Sequence, residues 1–202
     1  ADQDHIRVLM DLNPKVPDRN VPGSGAGGVL AEMAGALAGA GADVLAIPCN
    51  TAHAYADLIQ RASGLPLIDL IETGASAARD SGARRVGVLG TRGALKLYRE
   101  YLAAQAMGLV QLPAQRQDDF MGLIYRIKAG EVGEASRQEM AVYAGELVAA
   151  GAEAIVAGCT EVPLVLGAAD VRAPLIDPGE QLARRCVAVC LGMEPAPALP
   201  VA

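Results

Sequence analysis

The chain has 202 residues, 17 Lys and Arg against 23 Asp and Glu, a net charge of -6, and 52% hydrophobic residues with no Trp and one Phe. Such a length buries a proper core as one large or two small domains. The acidic balance, with no patch of Lys or Arg interleaved with aromatics, argues against nucleic acid as a partner and means that any anionic small ligand must be held by local cations.

In chain order, His5 to Asp11 reads as a short strand, followed by a loop over 13–20 stiffened by Pro14 and Pro17. Gly23-Ser24-Gly25-Ala26-Gly27-Gly28 matches G-x-G-x-x-G ahead of a helix at about 29–40. A dinucleotide fingerprint follows directly on a strand and has its acid at the end of the next one, whereas Asp43 opens the next strand here, so the match is read as a flexible loop with no cofactor. A strand at Val44–Pro48, a helix at about 52–63, a strand at Leu65–Leu70 and a helix to about Ser81 follow. Then come a strand over 85–90, a helix at about 94–106, a weak strand at Leu109–Leu112, helices at about 118–129 and 133–150, a strand leading to Cys159, a strand at Pro174–Asp177 and a helix at about 179–191. The Pro-rich tail from Glu194 to Pro200 is expected to be mobile. Strands alternating with helices imply parallel sheets covered on both faces, with ligands at the C-terminal strand ends.

The first residues show neither a basic nor an apolar leader, and the longest apolar tract, Val29 to Cys49, is broken by Glu32, Asp43 and several Gly. Neither a signal peptide nor a membrane span is read, so the expectation is a cytoplasmic protein whose four cysteines are reduced.

Sliding the sequence by 110 positions lays Leu37 to Cys49 on Leu147 to Cys159 without a gap, and Pro66-Leu67-Ile68-Asp69 recurs as Pro174-Leu175-Ile176-Asp177. Each half therefore carries one thiol at the C-terminal end of a strand. The fold class that follows is α/β, with two similar doubly wound, flavodoxin-like parallel-sheet domains related by a pseudo-twofold axis and an active site between them. The domains are placed at 1–80 plus 178–202 and at 81–177. The second half opens with a strand and helix that the first does not match, so the first domain is expected to lack its first strand and helix.

Two facing thiols suit one reaction well: a thiolate takes the Cα proton of an amino acid from one face while a thiol delivers a proton to the other, and the stereocentre inverts. Backbone N–H groups at a following helix N-terminus favour thiolate at both cysteines, and a symmetric pair supplies the matched proton affinities that a reversible reaction needs. Asn50, Thr51 and Thr160 stand ready as donors to the charge that develops on the substrate carboxylate. His53 is read as a capping or packing residue in preference to a base or metal ligand, and Cys186 with Cys190 as core packing in preference to half a metal site.

Taken together, Asn13-Pro14-Lys15-Val16-Pro17-Asp18-Arg19, Pro48-Cys49-Asn50-Thr51-Ala52-His53, Ile71-Glu72-Thr73, Leu89-Gly90-Thr91, Lys128-Ala129-Gly130, Gly158-Cys159-Thr160-Glu161 and Pro174 to Pro178 resemble the aspartate/glutamate racemase family, most closely its aspartate racemases. The resemblance implies a two-base racemase of L- and D-aspartate that uses neither pyridoxal phosphate nor metal. Cys49 and Cys159 would exchange protons, Arg19 and Lys128 would grip a carboxylate, and Asn50, Thr51, Thr91 and Thr160 would surround the ligand. It also implies a homodimer and a C-terminal helix packed back on the first domain. The alternatives are a glutamate or broad-specificity racemase, a related dicarboxylate decarboxylase or isomerase, and an inactive amino-acid binder.

Overall fold

Residues 5–21 and 23–199 are described by the structure, a computed structural model. Strands and helices alternate as α1 (Ala26–Gly39), β1 (Leu45–Ala46), α2 (Ala56–Ser63), β2 (Leu67–Ile68), α3 (Leu70–Asp80), β3 (Arg85–Val88), α4 (Arg92–Ala104), β4 (Gly108–Val110), α5 (Ala114–Lys128), α6 (Glu134–Ala149), β5 (Ala154–Val156), β6 (Leu175–Ile176) and α7 (Pro178–Cys190). Single 3-10 turns lie at Thr51–Tyr55, Val162–Leu164 and Ala168–Asp170. The strands form a four-stranded sheet in the order β4-β3-β5-β6 and a two-stranded sheet, β1-β2, with every pairing parallel.

Three strands hand over to helices through a side-chain cap, and this is what aims the helix N-termini at the C-terminal ends of the sheets. After β2, Asp69 accepts from the N–H groups of Ile71 and Glu72; after β3, Thr91 accepts from Ala94 N–H; after β6, Asp177 accepts from Gly179 N–H with Pro178 in the first turn. Each cap satisfies donors that a helix start leaves orphaned, worth about 1 kcal/mol apiece.

Alternation along the central strands splits the core into two layers. Val86, Val88, Ala154 and Val156 face α3, α4 and α7, packing with Leu95, Tyr98 and Leu102, and with Ile68, Leu70 and Ile71 from the first half. Ile155, Leu89 and Ala157 face the other way, onto Phe120, Leu123, Ile124, Met140 and Leu147 of α5 and α6. The first layer thus joins the two halves through one apolar cluster, while a smaller one (Ala34, Leu45, Ile59, Leu67) holds α1 and α2 to β1-β2. Helix α7 returns from the larger sheet to pack on α3 and β2.

Several expectations are corrected. His5 to Asp11 forms no strand: Val8, Met10 and Leu12 are 71%, 82% and 88% exposed, and an extended segment without a ladder partner has nothing to fix its register. The two sheets differ in size. Where β5 lies between β3 and β6, β1 has only β2 beside it among the described residues. The glycine run is helical from Ala26 onward, so Gly28 of the G-x-G-x-x-G match sits inside α1. Gly27 faces Tyr55, where a Cβ would come within 2.7 Å of Cδ1, and its job is to let α1 approach the Thr51–Tyr55 turn. The helix expected at 52–63 begins as that 3-10 turn, and α5 starts four residues earlier than expected. Glu194 to Leu199 lie outside regular structure, and the tail's Pro200 is outside the described residues. No described helix is long and apolar enough to cross a membrane.

Candidate active site

Both cysteines sit just past a strand. Cys49 follows β1 and donates its N–H to Ile47 O at 2.8 Å; ahead of Cys159, the Gly158 N–H turns back to Val156 O at 2.9 Å. Gly90 and Gly158 are required here because the ends of β3 and β5 converge. A Cβ at Gly90 would lie 2.9 Å from Gly158 O, and one at Gly158 would lie 2.7 Å from Val88 Cγ1. That close approach places Thr91 and Cys159 on the same cleft.

The cleft is lined by all eight residues singled out in the sequence: Arg19, Cys49, Asn50, Thr51, Thr91, Lys128, Cys159 and Thr160; Asn20, Gly158 and Glu161 complete the lining.

On the β1 side, the Arg19 guanidinium points Nη2 at Cys49 Sγ, 3.8 Å away. Asn50 is buried, its Oδ1 accepting from Tyr98 Oη at 2.9 Å; burial pushes the Tyr98 phenol well above its usual range, so it acts as a hydrogen-bond donor. Thr51 and Thr91 join hydroxyls at 2.9 Å across the two halves, and Thr91 also caps α4. His53 is buried, with Nδ1 2.9 Å from Cys49 O and Nε2 accepting the Leu70 N–H at 3.0 Å.

On the β5 side, Cys159 donates Sγ–H to Glu161 Oε2 at 2.9 Å, and Thr160 Oγ1 donates to the same oxygen at 3.1 Å. Burial first, and then the Glu161 carboxylate, push the Cys159 thiol up to about 12. This corrects the expectation of matched thiols activated by helix N-termini. A 3-10 turn, not an α-helix, follows each cysteine, and the surroundings are opposite in sign: a guanidinium beside Cys49 and a carboxylate beside Cys159.

The cations come from different places. Arg19 rides on the 13–20 loop, whose turn is held by Asp18: Oδ1 accepts from Asn20 N and Nδ2, both at 2.9 Å, and Oδ2 accepts from Tyr125 Oη of α5 at 3.0 Å. These bonds, the Asn20 N–H above all, hold the Asp18 carboxyl below its usual range. Lys128 ends α5 with Nζ 5.5 Å from the centre of the Tyr125 ring. Among the described residues neither Arg19 nor Lys128 has a carboxylate within 4.0 Å.

Glu161, Asn20 and Tyr98 escaped the sequence reading of the site. For Glu161 a signal was present, because at two residues past the cysteine the repeat breaks, with Thr51 in the first half and Glu161 in the second. Tyr98 lies 48 residues from its partner Asn50, and no local pattern announces that pairing. Among the described residues no group of three or more His, Cys, Asp or Glu is placed to hold a metal ion.

Fold and cleft define an α/β protein of parallel sheets that brings a thiol from beside each sheet, with Arg19 and Lys128, to one cleft. Residues 1–186 match the Asp/Glu/hydantoin racemase family, and the chain belongs to it. It is 33% identical over 147 residues to the glutamate racemase of Beutenbergia cavernae, covering 68% of this chain and 48% of that protein. It is 25% identical over 196 residues to the broad specificity amino-acid racemase RacX of Bacillus subtilis, covering 96% of this chain and 85% of that one. The chain spans about half the length of the first of these relatives. Among solved structures, Picrophilus torridus aspartate racemase superposes with a TM-score of 0.80 over 94% of this chain and 82% of that one at 24% identity, a likeness that concerns the fold.

Proposed function

We propose that the protein is a cofactor-independent amino-acid racemase that interconverts L- and D-aspartate with Cys49 and Cys159 as its two bases. The observation that carries this reading is the meeting of one thiol from each sheet with Arg19 and Lys128 in a single cleft. In this scheme a thiolate removes the Cα proton on one face and the opposing thiol returns one on the other, leaving the protein with its proton moved from one sulfur to the other. Cys159, held as a thiol by burial and Glu161, suits the donor in the resting enzyme, with Cys49 as acceptor. In the reverse direction Cys159, left as the thiolate once it has given up its proton, takes the Cα proton and the Cys49 thiol returns one on the opposite face.

Arg19 and Lys128 are proposed to bind the substrate carboxylates, Arg19 in a bidentate fork and Lys128 as a point charge. Asn50, Thr51, Thr91, Thr160 and the nearby backbone N–H groups stabilise charge developing beside Cα. Two cations favour a dicarboxylic substrate, and the preference for aspartate rests on the motif resemblance to aspartate racemases, although the curated relatives above are named for glutamate and for broad specificity. The domain division at 1–80 plus 178–202 and 81–177 is part of this reading, supported by the packing of α7 on α3 and β2. So is a homodimer, which rests on the family resemblance alone.

Incubation with L-aspartate in D2O tests the proposal: D-aspartate carrying deuterium at Cα is expected. Loss of CO2 would instead indicate a decarboxylase, and binding without exchange a non-catalytic binder.

A further inference from the structure

The two cysteine turns are steadied in different ways. On the β5 side the sulfur itself is tethered, by Glu161. On the β1 side the sulfur meets the Arg19 guanidinium at 3.8 Å, and the turn itself is held through its backbone, where the His53 ring lies between the Cys49 carbonyl and the first amide of α3. The Leu70 N–H can only donate, so Nε2 must carry a lone pair and the proton sits on Nδ1, which donates to Cys49 O. The ring is 5% exposed, and burial pushes its pKa down, keeping it neutral, against the nearby Asp69 carboxylate that pulls the other way. Asp69 is itself occupied, by Ile71 N, Glu72 N and Tyr101 Oη. Both ring nitrogens are therefore consumed by backbone groups, and no proton-transfer role is left for the imidazole. The matching position in the second half is Pro163, which cannot make such a bridge.

We infer that His53 is a positioning residue for Cys49 alone, a neutral imidazole strut that fixes the Cys49 turn against the N-terminus of α3 and so sets where the first thiol meets Cα. The inference rests on the racemase reading and assigns its two thiols separate supports. The Cys49 turn has no other side-chain bond to its carbonyl among the described residues, so loss of the strut frees one base and leaves the other in place.

The test compares His53→Leu, which removes both bonds at similar bulk, with His53→Gln, which keeps one donor and one acceptor. L- and D-aspartate are incubated separately in D2O, and loss of the Cα proton from each is followed; Cys49→Ala and Cys159→Ala show which enantiomer each thiol addresses. In His53→Leu, proton loss from the Cys49-addressed enantiomer is expected to fall at least tenfold and that from the other less than threefold, with His53→Gln between it and the parent. A parallel fall for both enantiomers, or no fall, overturns the inference. Should His53→Leu fail to fold, the same ratio is read in His53→Gln, and an unchanged ratio again overturns it. A parent that exchanges neither enantiomer refutes the racemase reading instead. The strut is then judged by the iodoacetamide reaction of Cys49 relative to Cys159, which must change at least threefold in the variants.

Discussion

Replacing Glu161 by Gln isolates the electrostatic part of the Cys159 environment. The thiol rises from the ordinary value of 9.0 to about 12, a shift of order 4 kcal/mol at about 1.4 kcal/mol per unit, with burial contributing most and Glu161 less. Gln keeps the size and can still accept from Sγ but removes the charge, so the thiol should come down by about one unit, raising the thiolate fraction at pH 8 roughly tenfold. The assay is the rate of iodoacetamide alkylation of Cys159, followed by peptide mass with the other cysteines as internal reference. Its pH profile should move about one unit toward neutrality. The sign for stability also follows: the folded state holds this proton more tightly than the unfolded chain, so the stabilisation is complete below pH 9 and is lost as pH rises through about 12. An alkylation rate that is unchanged or lower in Glu161→Gln would refute the claim that the carboxylate presses on this thiol.

Arg19→Ala should lower kcat/KM for aspartate by tenfold or more, since truncating one partner of a desolvated charge pair costs about 2–5 kcal/mol and this half-exposed side chain belongs at the lower end; steady-state kinetics, with alanine as a poor control substrate, decide it. Tyr98→Phe leaves Asn50 Oδ1 buried without its donor and should cost about 1–3 kcal/mol, seen as a lower urea midpoint. Gly27→Ala must push Tyr55 aside from a 2.7 Å contact and should lower the melting temperature, at a cost of about 1–3 kcal/mol for overpacking; an unchanged melting temperature would show that α1 shifts freely.

The helix and strand alternation was legible because apolar periods mark the elements and three of the helices carry a side-chain cap, Asp69, Thr91 and Asp177. The site was legible for a different reason: the repeat of Leu37–Cys49 in Leu147–Cys159 singles out two thiols that neither half marks alone, and the family motifs add Arg19 and Lys128. What the repeat could not convey is how far the halves have diverged. It makes the thiols look equivalent, yet their charged neighbours, Arg19 and Glu161, arrive from a loop in one case and from two residues downstream in the other. Local pattern also misled at His5–Asp11, where alternating apolar residues predict a strand but pairing depends on a neighbour. The glycines at 23–28 misled likewise, because a run that reads as a flexible loop is in part a helix face shaped to meet Tyr55.

The central claim is that two thiols act on opposite faces of one Cα, and deuterium incorporation by the parent, Cys49→Ala and Cys159→Ala tests it most directly. The parent should convert L-aspartate to deuterated D-aspartate and the reverse. Each single variant should lose inversion, and any exchange that survives should be confined to one enantiomer, a different one in each variant. Racemisation at near-parental rate by either variant would contradict the account.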